Sequence, residues 1–261
     1  MFADLELARR LESTEGFAGA SFVEARGGDA AWERIAGAYA MFDGVGSPLT
    51  QTFCLGMFEP ATGSVLTQLE EFFRTRGASV DHEVCPLAGV ALLHALINRG
   101  YAPLELSNVL FLELNGARLE PALNLALSVR IAGEPDRTTY AQATALGWGM
   151  GPELAEVMSA AAGYLGFMVE KEGRAIATAG LVIHDRVALL AGAATIPEAR
   201  GQGAQRAGLV TRLRHATESG CDLAMIVTEP GSASQRNAER NGFRVAYTRT
   251  KWRLESQGLR K

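Results

Sequence analysis

The stretch Ala194–Ala216, ATIPEARGQGAQRAGLVTRLRHA, constrains the fold more tightly than any other part of the chain. An apolar β-run ends at Thr195-Ile196-Pro197 and a turn carries Gly201 and Gly203. A helical pattern then begins at Ala204, with Leu209, Leu213 and Ala216 on one apolar stripe. A strand feeding a glycine turn and then a helix amino terminus gathers unpaired backbone N–H groups around one concavity, which makes a site for an anion. The two glycines permit unusual backbone angles and let a phosphate approach with no Cβ in the way. Arg200 either adds positive charge to this turn or is solvated. Two common nucleotide loops are excluded: the chain has no G-x-x-x-x-G-K-S/T, and no G-x-G-x-x-G after an early strand with an acidic residue about 20 positions on.

The flanking periodicities predict an α/β (α+β) fold with a mixed, largely antiparallel sheet flanked by helices. In the amino half, helical spacing covers Phe2–Glu15 and a short stretch Ala30–Ala36, and Ala38–Phe42 and Thr50–Met57 read as strands. An amphipathic helix follows over Val65–Arg76, with Leu66, Leu69, Phe72 and Phe73 on one face. Next come a strand Ser79–Cys85, a helix Val90–Asn98 and a strand Leu104–Leu114. In the carboxyl half, Leu125–Ile131 is a strand, Asp136–Leu146 and Pro152–Ala162 are helices, and Tyr164–Glu170 is a strand. A hairpin pairs Ala175–Ile183 with Val187–Ala194. After the glycine turn come a helix Ala204–Thr217, a strand Asp222–Thr228, a helix Ser232–Arg240 and a strand Val245–Leu254.

The halves match weakly. RTRGASVDHEV at Arg74–Val84 falls into register with TESGCDLAMIV at Thr217–Val227, and NRGYAP at Asn98–Pro103 resembles RNGFRV at Arg240–Val245. Both copies read helix, Gly, strand, helix, Gly-aromatic, strand, which predicts two related domains, residues 1–120 and 121–261. The alternative is one catalytic domain with an unrelated amino-terminal extension. The amino-terminal stretch that would correspond to the glycine turn, MFEPATGSVLT at Met57–Thr67, has neither the arginine nor the paired glycines.

With 261 residues, 48% of them hydrophobic and 21% charged, the chain can bury a sizeable core. A net charge of -4 with scattered Lys and Arg lacks the basic footprint of nucleic-acid binding. No apolar run suits a signal peptide or a membrane span, so a cytoplasmic protein is expected. Cys54, Cys85 and Cys221 are too scattered for a disulfide framework or a metal cluster and read as structural thiols, with a catalytic cysteine as the alternative.

The turn resembles the pyrophosphate loop of the GNAT superfamily of acetyltransferases: Arg or Gln, two free positions, Gly, one free position, then Gly or Ala, after a strand ending in a Val-x-Pro-like segment. Arg200 and Gly203 match, and Gln205 stands where Gly or Ala is usual. The resemblance covers Leu125–Leu254 and includes a last helix ending in Gly242-Phe243. It implies acetyl-CoA as co-substrate, no metal, and an amine acceptor. It further implies a pantetheine arm along the backbone of Ala194, Thr195 and Ile196, and a pyrophosphate on the amides of Arg200, Gly201, Gln202, Gly203, Ala204 and Gln205. Ser234 and Asn237 face the same region by this resemblance; each is otherwise a helix cap or a solvated residue.

Acetyl transfer requires a neutral amine, whose ordinary pKa is about 10.4, so a group must accept its proton. Glu229, just past the strand Asp222–Thr228, is the first candidate. Glu198, His184 and Asp185 are weaker ones, each more readily explained as surface or turn residues, and Tyr247 fits a packed strand residue better than a hydroxyl donor. Many relatives place an acidic tyrosine four residues before the glycine of the final helix, where this chain has Ala238. A thiol of pKa about 8.5 leaves without much help. The leading expectation is an acetyl-CoA-dependent N-acetyltransferase acting on a small molecule or a protein. Its rivals are a non-catalytic CoA-binding or regulatory module and a domain for another phosphate ligand. The acceptor and acyl length are not encoded in any fixed spacing, and a homodimer is the default for a soluble oligomer.

Overall fold

A computed structural model describes residues 2–116, 124–151 and 165–255; the helix expected over Pro152–Ala162 lies outside them. The chain packs as two units, one of residues 1–111 with 227–261 and one of residues 112–226.

The first unit opens with helix α1 (Leu5–Arg26), started by the Asp4 carboxylate accepting from Leu7 N–H at 2.9 Å. It continues past Glu15, where the helical spacing had run out, because Gly16 and Gly19 are packing residues. A Cβ would lie 2.4 Å from the Tyr39 ring at the first and 2.7 Å from Met41 Sδ at the second. Strand β1 (Ala31–Ile35) corrects the short helix expected at Ala30–Ala36. Five residues give too little sequence to separate the two periods, and this segment pairs along its whole length with β2 (Ala38–Phe42). Next come β3 (Gln51–Phe53), shorter than the strand expected at Thr50–Met57, helix α2 (Gly63–Arg74), β4 (Val80–Val84), helix α3 (Val90–Asn98) and β5 (Ala102–Glu113). From the carboxyl end come helix α6 (Ala233–Arg240) and β11 (Arg244–Leu254).

The strand order here is β1-β2-β3-β4-β11-β5. All these pairings are antiparallel except β3 with β4, which meet in parallel register at Thr52 and His82. Leu66, Leu69, Phe72 and Phe73 of α2 and Leu92 and Leu96 of α3 pack on Val80, Val84, Ala40, Phe42 and Trp252. Tyr39 and Met41 point the other way, toward α1. Both faces of β2 are therefore covered, and all its residues are buried.

The second unit holds β6 (Leu127–Ile131), helix α4 (Arg137–Trp148), β7 (Leu165–Lys171), β8 (Arg174–His184), β9 (Val187–Thr195), helix α5 (Ala204–Glu218) and β10 (Leu223–Thr228). Its order is β10-β9-β8-β7-β6, antiparallel except for β9 with β10. Helix α4 lies on one face, where Thr144 and Thr178 hydroxyls meet at 2.7 Å. Helix α5 lies on the other, where Gly208 approaches Val169 and Ala179.

The short motifs that suggested a repeat share one local geometry. At the ends of α2, α3, α5 and α6 a glycine sits in the left-handed region: Gly77, Gly100, Gly220 and Gly242, with φ between 72° and 88°. The next residue sends its N–H back five positions: Ala78 to Phe73, Tyr101 to Leu96, Cys221 to Ala216, Phe243 to Ala238. That residue is buried in each case. This closure needs a glycine and a following apolar residue, which is what made the pattern readable.

Candidate functional site

The candidate site forms where β9 leaves the sheet of the second unit. Strand β10 pairs with β9 only from Leu223 opposite Val187 to Met225 opposite Leu189, and among the described residues β9 runs on unpaired on that side to Thr195. Against β8 it slips register between Thr178 and Gly180, with Gly192 at φ 63° in the irregularity. The slip is pinned from α5 by Arg212, buried and donating to the carbonyls of Gly180 at 2.9 Å and Ala191 at 3.3 Å. Burial without a carboxylate pulls its guanidinium down to about 10.

Beyond Thr195 a short 3-10 turn, Pro197–Ala199, leads into the glycine turn. Gly201 and Gly203 have φ of 77° and 87°, and a Cβ at Gly201 would meet nothing within 4 Å. Helix α5 starts at Gly203 with no capping side chain. Among the described residues, no acceptor is present for the N–H groups of Gly201, Gln202, Gly203, Ala204 and Gln205. Five uncapped donors around two left-handed glycines form a cradle for an oxyanion. The Thr195 hydroxyl at its approach is buried and also lacks a hydrogen-bond partner among the described residues.

The loop is held from outside. Gln202 accepts from Lys171 Nζ at its Oε1 (3.0 Å), donates from Nε2 to the Glu198 carbonyl (3.1 Å), and accepts at its own carbonyl from Asn124 Nδ2 (3.0 Å). Arg200 donates to the Gly147 carbonyl at 3.1 Å. Gly147, in the last turn of α4, lies directly over β9; a Cβ there would lie 2.8 Å from both Ala194 Cβ and Thr195 N. Trp148 next to it donates from Nε1 to the Ala193 carbonyl at 3.1 Å. Lys171, Asn124, Gly147 and Trp148 carry no local motif and come to the loop only through folding.

Of the residues singled out from sequence, Ala194, Thr195, Ile196, Arg200, Gly201, Gln202, Gly203, Ala204 and Gln205 lie together in the second unit. Ile196 is the exception in chemistry. Its N–H donates to Ile176 and its carbonyl accepts from Ala199, so both its backbone groups are engaged. Glu229, Ser234 and Asn237 belong to the first unit's residues. Glu229 is exposed, and its carbonyl accepts from the N–H of Ser232, the residue that caps α6 in place of Ser234. Ser234 is exposed, and Asn237 accepts at its carbonyl from Asn241. His184 and Asp185 sit at the hairpin tip, at the opposite end of β9 from the loop, about 26 Å away at about 3.3 Å per residue. Tyr247 is buried and donates to Glu12 at 2.9 Å. The three cysteines are free and buried, and burial raises each thiol, Cys85 to about 12, so none is an activated nucleophile.

Among the described residues no group of three His, Cys, Asp or Glu could hold a metal ion, and no helix is long and apolar enough to cross a membrane. Residues 136–243 match the acetyltransferase (GNAT) family model. The fold is similar to that of a GCN5-related N-acetyltransferase from Kribbella flavida, with a TM-score of 0.71 at 18% identity over 97% of both chains. It is also similar to one from Sphaerobacter thermophilus, with a TM-score of 0.61 at 17% identity over 84% of this chain and 76% of the other. A tandem GNAT protein from the clavulanic acid biosynthesis pathway gives 0.60 at 14% identity over 94% and 95%. No curated protein sequence matches the chain. Residues 136–243 thus match the GNAT family model, and they lie within a fold similar to that of GNAT proteins along its length.

Proposed function

We propose that this protein transfers an acetyl group from acetyl-CoA to a primary amine of a small molecule or a protein, by direct attack in a ternary complex. The observation that carries the reading is the set of acceptor-free N–H groups from Gly201 to Gln205, set where β9 parts from β10. These residues suit a diphosphate: the donors converge, the glycines leave room, and the net dipole of α5 favours negative charge. The free edge of β9 near Ala194 and Thr195 would take the pantetheine amides as an added strand would. Bound acetyl-CoA supplies the activated acyl group and a thiol that leaves readily.

The chain must then hold the amine beside that group and accept its proton. We assign the proton to Glu229, the first residue past β10. Glu229→Gln should lower kcat by on the order of a hundredfold with little change in acetyl-CoA affinity; an unchanged kcat would remove Glu229 from this role.

A specific observation favours a second reading, a non-catalytic CoA-binding module. Ala238 stands where the resemblance expects an acidic tyrosine, and it is buried, its carbonyl accepting from Phe243 and Asn241. Thermal unfolding with acetyl-CoA, CoA and ATP tests the common part of both readings. Ligand at about 100 times its dissociation constant stabilises by about 2.7 kcal/mol, and no shift with either CoA species ends both. Thiol release across a panel of amines then divides enzyme from module.

A further inference from the structure

We propose that Lys171 is the cation that reads the diphosphate in this loop, making the site select a phosphorylated carrier over an unphosphorylated pantetheine thiol. This rests on the CoA reading above and adds to it a residue outside the loop motif.

The first ground is an unbalanced charge. Lys171 ends β7 and is half-buried, and its only partner among the described residues is the neutral Oε1 of Gln202 at 3.0 Å. Four other partly or fully buried cations have carboxylates, Arg99 with Glu70, Arg249 with Glu12, Glu15 and Glu83, Lys251 with Glu83 and Glu105, and Arg253 with Asp81, whereas the buried Arg212 is spread over carbonyls of the sheet. Its chain neighbour Glu170 points to the opposite face of the strand, and its carboxylate is taken by Arg130 at 2.9 Å. A half-buried ammonium that faces only an amide oxygen among the described residues has no matching charge there, and an anion beside it would supply one.

The second ground is position. The residue Lys171 touches is Gln202, which lies between the two left-handed glycines and within the run of acceptor-free N–H groups. Gln202 is already fixed by Glu198 and Asn124, so Lys171 is not needed to hold it. An ammonium has three donors. One is spent on Gln202, and the others are available to oxygens in the cradle. Backbone amides and a helix dipole supply only partial charge, whereas a diphosphate carries full charges, and Lys171 supplies the matching one.

The test compares Lys171→Gln and Lys171→Arg with the unaltered protein by calorimetric titration of CoA, 3′-dephospho-CoA and pantetheine. The glutamine can still donate to Gln202 Oε1, so it removes the charge while sparing the loop contact. Lys171→Gln should bind CoA and 3′-dephospho-CoA weaker by on the order of tenfold or more, should bind pantetheine like the unaltered protein, and should show a shallower salt dependence. Lys171→Arg should keep most of the affinity. Equal losses for CoA and pantetheine would mean that Lys171 only shapes the loop. A loss confined to CoA and absent with 3′-dephospho-CoA would place the charge at a different phosphate. Unchanged CoA affinity would end the proposal outright; each of these three outcomes overturns it while leaving the CoA reading intact. If the unaltered protein binds neither CoA species, the CoA reading itself fails. A glutamine variant with a lowered unfolding midpoint leaves the decision to Lys171→Arg, which must then hold affinity and salt slope together.

Discussion

The loop entering α2 and the loop entering α5 occupy equivalent places, each joining a strand with a brief parallel pairing to the helix after it, and they differ in what covers the helix amino terminus. In the first unit the chain fills that space itself. Cys54, Leu55 and Met57 are buried, Arg9 donates to the Met57 carbonyl at 2.6 Å, and the Thr62 hydroxyl accepts from Val65 N–H. In the second unit the helix begins on a glycine with no capping side chain, and five N–H groups have no acceptor among the described residues. The proposed anion site lies at the helix start where the sequence withholds both the cap and the filler.

The two sheets also differ. In the register of the repeat, Asp81, His82 and Glu83 of β4 stand where β10 has Ala224, Met225 and Ile226. All three β4 residues are buried. His82 is kept neutral by burial, with its pKa pulled down to about 4, while the acids are matched by Arg249, Lys251 and Arg253 of β11. Arg249 is central: burial alone would depress it, but Glu15, Glu12 and Glu83 hold it well above its ordinary range. Since β11 lies between β4 and β5, the first unit depends on a strand from the far end of the sequence. Arg249→Met should cost about 3–5 kcal/mol, because it leaves the buried Glu12 without its cation and takes one of two cations from the buried Glu83. Chemical denaturation followed by circular dichroism measures it, and a loss below about 1 kcal/mol would mean that the network is not what distinguishes this unit.

The loops can be compared by giving each the same charge. Gly203→Glu should abolish CoA binding, a drop of on the order of a hundredfold or more, by placing a carboxylate among the acceptor-free amides. Gly63→Glu puts the same carboxylate at the first turn of α2, where nothing lies within 4 Å, and should leave CoA binding unchanged. Gly203 has a φ of 87°, so any side chain there strains the turn, and Gly203→Ala controls for that strain. Equal effects at positions 63 and 203 would erase the distinction.

Much of this was legible in the sequence because it rests on local chemistry. Helix α3 has the bounds its periodicity gives, and the four glycine closures are readable because they need a left-handed residue and then an apolar one. The glycine turn was legible for the same reason. What escaped depends on partners distant along the chain. Gly16 and Gly19 look like helix breakers until Tyr39 and Met41 are seen against them. Lys171 reaches Gln202 across 31 positions, and Arg249 meets Glu12 across 237, separations at which no periodicity speaks. The buried charges of β4 are the clearest case: read alone, VDHEV looks half-exposed, and β11, which pairs with it along its whole length and brings the matching cations, makes its burial possible.

A smaller effect should separate the units by pH. Burial raises the Glu12 carboxyl to about 7; Arg249 opposes this, Glu15 and Glu83 add to it, and the hydrogen bond from Tyr247 opposes it. A carboxyl with a raised folded-state pKa contributes stability that is full below its unfolded value near 4.5 and is lost as pH rises through about 7. The unfolding midpoint should therefore fall between pH 5 and 8, by on the order of 2 kcal/mol or less for this group. Glu12→Gln keeps an acceptor for Tyr247 and should flatten that slope; a slope equal to that of the unaltered protein would assign the pH dependence elsewhere.

The smallest change tests the cap itself. Thr62→Ala removes the acceptor for Val65 N–H and leaves the first turn of α2 with the kind of bare amino terminus that α5 has. It should cost about 1 kcal/mol of stability. It should not create a diphosphate site, because the buried Leu55 and Met57 still fill the approach and Arg9, the cation at that loop, is spent on the Met57 carbonyl. Stability loss without gain of binding, measured by unfolding midpoints with and without pyrophosphate in a Gly203→Glu background, would show that uncapping alone is insufficient and that room and charge decide. Gain of pyrophosphate binding would show instead that the threonine cap is the whole difference between the two loops.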